Sequence, residues 1–184
     1  MRPMRKILSS LRRYADDQKG AAAIEFALIV TLLVVPILNV MDVTLYAWDR
    51  MQVDYAAQSG AQAARTACTY TFQPATYNCP NLNSTVQTAV RSTPLGANVA
   101  FSVQEHYYCT VSNALVKVSD PPNNPPTDCS QKNSSGTNIG GSSSEKPGDY
   151  IQVTTTYTYV PIFPAVSVVS ALNTTITRIA WMRL

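Results

Sequence analysis

From Ala21 to Met41 the chain reads AAAIEFALIVTLLVVPILNVM, an apolar run interrupted by one carboxylate, Glu25, and one proline, Pro36. Such a run leaves few folds open. As a helix it would rise roughly 32 Å at about 1.5 Å per residue, close to a hydrocarbon core of ~30 Å. The charge-free part, Phe26–Met41, is slightly short for a span and reaches full length only with Ala21–Ile24 around Glu25. Pro36 should bend or loosen the helix locally, which membrane helices tolerate. A secretory signal peptide has an apolar core of only ~7–15 residues and a small-x-small cleavage site just after it. Here the next such site, Ala61-Gln62-Ala63, lies far downstream. A retained transmembrane helix is therefore expected over residues 21–47.

Charge is distributed to match. Residues 1–20 carry Arg2, Arg5, Lys6, Arg12, Arg13 and Lys19 against Asp16 and Asp17, a net +4, whereas the other 164 residues are net −1. A basic end before an apolar helix is held on the cytoplasmic side by the positive-inside rule. The total of +3 is too small to argue for nucleic acid as a partner. Charged residues make up 14% of the chain, against ~25% in ordinary globular proteins. No phosphate-binding glycine motif occurs, and the single histidine, His106, excludes a two-histidine metal site. No enzyme activity, metal or cofactor is expected.

A carboxylate inside an apolar helix is costly and by default functional. Glu25 stands in Lys19-Gly20-Ala21-Ala22-Ala23-Ile24-Glu25-Phe26, which resembles a type IV prepilin processing site, a glycine followed at the fifth position by Glu and then Phe or Tyr. The resemblance implies that a prepilin peptidase cuts between Gly20 and Ala21. It also implies that Glu25, with Phe26 beside it, guides assembly by pairing with the freed α-amino group of Ala21 on a neighbouring subunit. Such pairing would offset part of the burial cost of both charges.

The span from Gly20 to Ala67 narrows the match. GAAAIEFALIV, the proline-interrupted helix, Asp42 after it and AAQSGAQAARTA together resemble TadE-like minor pseudopilins of the tight-adherence (Flp-type) type IV pilus system. TadF-like relatives share these features. A major Flp pilin is little more than the helix, and a TadG-like protein needs room for a further large domain. The resemblance implies a pilin-like α+β fold, with a long N-terminal helix continuing into a small periplasmic domain. That domain would carry three to four antiparallel strands. Implied partners are the membrane, the prepilin peptidase, other pilin and pseudopilin subunits and the pilus assembly platform.

Beyond Met41 no proline occurs before Ala67, so one helix over Ala21–Ala67 would run about 70 Å. Tyr46 and Trp48 suit the membrane interface, and Asp49, Arg50 and Asp54 place the chain in water. Ala56, Gly60, Ala63, Ala64 and Ala67 form a small-residue stripe, expected to carry the protein's own sheet rather than another subunit.

Residues 48–184 are expected to form the exported domain. Leu82, Val86, Ala89 and Val90 mark a short helix. Val99, Phe101 and Val103 mark a strand, Tyr107–Val118 a second strand or pair, and Ile151–Tyr159 and Thr174–Leu184 two more. Residues 119–149, rich in Pro, Asn, Ser and Gly, read as an exposed, flexible loop that buries no core. His106 and Glu105 are adjacent on a strand and should face opposite ways, which argues against joint acid–base work and for a surface histidine. Cys68, Cys79, Cys109 and Cys129 have no Cys-x-x-Cys spacing, and in an oxidising compartment they should form disulfides. Of three possible connectivities, nearest-neighbour pairing is the expectation.

Two functions follow from these residues. The first is a processed minor pseudopilin that primes or helps assemble a tight-adherence pilus, sited in the bacterial inner membrane or carried into the extracellular fibre. The alternative is an unprocessed, single-pass, membrane-anchored periplasmic binding or adhesion protein, with residues 119–149 as its interaction loop.

Overall fold

The computed structural model describes residues 18–68, 74–133 and 135–184, with side chains from Gly20 onward in the first stretch. The expected leader, apart from Gln18–Gly20, lies outside the described residues. The chain forms two compact units. One is the described chain up to Thr44 together with Pro161–Leu172, and the other is Leu45–Val160 with Asn173–Leu184.

Helix α1, Gln18–Ala67, passes through Pro36 without a break. It begins before the expected Ala21 and ends at the expected Ala67. In the first unit its apolar side chains point outward, with Leu32 74% and Phe26 69% exposed. Its polar groups bond back along the helix. The Thr31 and Thr44 hydroxyls donate to the carbonyls of Ala27 and Val40, and the Asn39 amide donates to Val35. This is how polar side chains are satisfied in an apolar helix.

The second unit is α+β. After α1 come α2 (Ala75–Asn78) and α3 (Leu82–Val90), then strands β1 (Ala100–Val111), β2 (Ala114–Ser119), β3 (Gly148–Thr158) and β4 (Thr175–Arg183). The strands form one antiparallel sheet in the order β2-β1-β3-β4. Ile151 and Val153 of β3 alternate inward and join Ala56, Ala61 and Ala64 of α1 and Leu82, Val86 and Val90 of α3 in the main core. The small-residue stripe is thus an internal packing face. At Gly60 a Cβ would stand 2.9 Å from Val90 Cγ2 and 3.1 Å from Val153 Cγ1, so glycine is what lets these elements approach. The buried Thr155 hydroxyl donates to the Val53 carbonyl at 3.0 Å, and the Ser59 hydroxyl to Ala89.

Two expectations need correction. The strand at Val99–Val103 does not stop there; it runs to Val111 and turns through Ser112 and Asn113, both at positive φ, into β2. That is the geometry of a two-residue hairpin. Residues 119–149 also bury apolar groups. Cys129 and Ile139 pack with Tyr107, Cys109 and Val118 in a second cluster. Their order comes from backbone pairing rather than apolar periodicity. Cys129 N–H donates to Glu145, Gly141 N–H to Cys129 and Ile139 N–H to Gln131. Disulfides join Cys68 to Cys79 and Cys109 to Cys129, the nearest-neighbour connectivity.

Candidate functional site

Gly20, Ala21, Glu25 and Phe26 lie on the first described turns of α1, and all four are exposed. Ala21 and Glu25 are four residues apart and share a helix face. A Cβ on Gly20 would meet nothing within 4 Å. Neither crowding nor a left-handed backbone demands glycine there, although glycine costs a helix interior about 1 kcal/mol relative to alanine. Gly60 serves close packing, whereas nothing among the described residues packs against Gly20. Among the described residues the ion pairs are His106–Asp120 and Lys117–Asp120, and Glu25 joins neither.

Further along the same unit the helix has a partner that the sequence did not suggest. Asn39 and Asp42, three residues apart on one face, meet the segment Pro161–Leu172. Asn39 Oδ1 accepts from Val168 N–H at 2.7 Å, and Asp42 Oδ1 accepts from Ile162 N–H at 3.1 Å. Asp42 is fully buried in this contact. Two prolines and the apolar composition of 161–172 were the available signal, but they read only as the end of a strand.

In the sheet unit, β1 alternation separates Glu105 from His106 as expected. Glu105 is buried on the helix side, where its carboxylate accepts from Ala75 N–H and Thr76 N–H, each at 2.8 Å, and from the Thr76 hydroxyl at 2.6 Å. His106 is not the free surface histidine expected. Its side chain is 12% exposed, paired through Nδ1 with Asp120 and tilted against Trp181 at 5.9 Å. Lys117 and His106 both hold the Asp120 carboxyl below its ordinary range, against the upward push of burial. A recess of 440 Å³ lies between Tyr108, Tyr150, Glu145, Lys146 and Arg183, and its lining has neither histidine nor cysteine. Among the described residues no group of three His, Cys, Asp or Glu could hold a metal ion. The four cysteines belong to this unit and are held in their two disulfides.

No curated protein and no solved structure matches the chain. The family model described as TadE-like protein matches residues 20–62, so the stretch from Gly20 through the apolar helix to Gln62 is similar to that family.

Proposed function

We propose that this protein is a processed minor pseudopilin that takes part in priming or assembling a tight-adherence (Flp-type) pilus. The observation that carries this reading is the junction itself. The family match begins at Gly20 and includes Glu25, while nothing among the described residues packs around Gly20 in a way that requires glycine. A glycine with no packing role among the described residues suits an external reader, here a prepilin peptidase that needs an unobstructed backbone.

The helix that follows is long and apolar enough to cross a membrane. Its exposed apolar side chains suit lipid first and the helices of other subunits after extraction into an assembly. In that setting Glu25 pairs with the α-amino group of Ala21 of a neighbouring subunit, so each chain brings one member of the pair. The basic residues before Gly20 keep that end cytoplasmic and place the sheet unit in the periplasm.

The intact mass of the protein recovered from its native membrane tests the proposal. A chain beginning at Ala21 is expected. A chain still beginning at Met1 overturns it in favour of an unprocessed anchored protein.

A further inference from the structure

Pro161–Leu172, PIFPAVSVVSAL, has no charged residue, and its only polar side chains are Ser167 and Ser170. It nonetheless turns much of its apolar surface outward. Ile162 is 57% exposed, Val168 55% and Leu172 53%, while Val169 and Ser167 face in. In water such a surface would be unfavourable. Its backbone is prepared for a different solvent. Ile162 and Val168 donate to Asp42 and Asn39 of α1, and Val166, Ser167, Ser170 and Leu172 donate to carbonyls of the segment itself. Pro161 and Pro164 have no N–H to satisfy. Non-helical chain at membrane depth needs its backbone polar groups satisfied and covered by protein, and these donors are satisfied where the segment lies against α1 and folds on itself.

The attachment to α1 fixes that depth. From Phe26 to Asp42 the helix rises about 24 Å, which is inside a hydrocarbon core of ~30 Å entered near Glu25. We propose that Pro161–Leu172 is a second membrane contact, seated beside α1 in the outer half of the same bilayer through Ile162, Val166, Val168 and Leu172. The proposal rests on the reading of α1 as a membrane-spanning helix, and it completes that reading. The charge-free run Phe26–Met41 is short for a span, and the next residue is an aspartate. With Asp42 covered by the segment, the lipid-facing surface of α1 continues through Val43 and Leu45, which are exposed and apolar. Asn39 and Asp42 are then explained as docking acceptors, aimed at protein backbone and away from lipid. The bilayer is favoured over a subunit helix as occupant because the apolar surface is continuous with that of the anchoring helix and held to it by two hydrogen bonds.

The test uses the full chain in vesicles of phosphatidylethanolamine and phosphatidylglycerol. A photoreactive amino acid replaces, one at a time, Val168, Leu32 in the middle of the span, and Leu115, which is exposed on β2 of the sheet unit. Thiol titration first establishes that both disulfides are intact in each chain, and exposure at the three positions leaves room for the probe. Lipid adducts on irradiation are expected at Val168 and Leu32 and not at Leu115. Adducts at Leu32 without any at Val168 overturn the second contact while leaving the span intact. No adduct at Leu32 overturns the span, and the second contact with it. Adducts at Val168 to protein in place of lipid identify a subunit-contact face and overturn the proposal, and adducts at all three sites overturn it by removing the distinction from the sheet.

Discussion

Glu105 and Asp149 sit on the helix side of neighbouring strands, two pairs apart in the β1–β3 register, with Tyr107 opposite Asp149. Glu105 is satisfied as a carboxylate by three donors, whereas Asp149 is 6% exposed beside it. Burial, and then the nearby Glu105 carboxyl, push the Asp149 carboxyl up to about 8. Tyr107 is pushed up to about 12 by burial and by both carboxyls. In an unfolded chain Asp149 ionises near 3.9. Below that pH both states hold the proton; above it only the folded state does, so stability falls with rising pH until about 8 and then levels. Asp149→Asn places a neutral side chain beside Glu105 at every pH. Its melting temperature is expected to stay flat from about pH 4 to 8 where that of the natural chain declines; parallel declines would refute the assignment. Gly60 permits a test of packing. Leucine there would overlap Val90 and Val153, and the denaturant midpoint should drop by the equivalent of about 1–3 kcal/mol or more. A midpoint equal to that of the natural chain would refute the close approach. For Glu25, replacement by alanine should leave cleavage after Gly20 intact and reduce pilus assembly, and normal piliation would refute its assembly role.

Among elements, α1, α3 and β3 were legible from an unbroken apolar or small-residue pattern, and β4 from its run of β-branched, aromatic and apolar residues. Apolar residues run continuously in the first half of α1, small residues recur at helical spacing in the second, Leu82, Val86 and Val90 recur likewise in α3, and Ile151 and Val153 alternate in β3. The β1–β2 hairpin was harder to read. Its turn uses Ser112-Asn113, without the glycine that usually signals positive φ. Residues 119–149 were misjudged because covalent and backbone constraints stand in for periodicity, with Cys129 fixing the segment to β1 and Gly141 pressed against Cys129. The junction Gly20–Glu25 was legible as a motif, while the docking of Pro161–Leu172 on Asn39 and Asp42 was not. It joins positions more than a hundred residues apart through backbone donors that leave no side-chain pattern. The Cys109–Cys129 link closes a loop for which the chain-entropy estimate is about 3 kcal/mol. Replacing both with serine should lower the denaturant midpoint accordingly and speed proteolysis within 120–147. The β1–β3–β4 pairing should persist in slow amide exchange. Unchanged cleavage rates would show that backbone pairing alone holds the segment.

At the scale of the whole chain, charge and sulfur mark opposite ends of the proposed topology. Six basic side chains precede Ala21, and all four cysteines follow Ala67. Under the positive-inside rule the basic end biases the helix to insert with residues 1–20 in the cytoplasm. The sheet unit then meets an oxidising compartment, where disulfides form and persist. Disulfide formation therefore reports orientation. Replacing Arg2, Arg5, Lys6, Arg12, Arg13 and Lys19 with glutamine takes residues 1–20 from +4 to −2. The same class of change at Arg178 and Arg183, both in the sheet unit, removes charge without touching the leader. Alkylation of the unreduced protein in its native membrane separates these cases. The natural chain and the Arg178/Arg183 variant should show no reactive thiol, because Cys68–Cys79 and Cys109–Cys129 are closed. In the leader variant a fraction of chains should present cysteines to the reducing side and gain alkyl groups at all four, in step with lost processing at Gly20. If every thiol stays protected in the leader variant, the basic segment does not set the orientation and another part of the chain must.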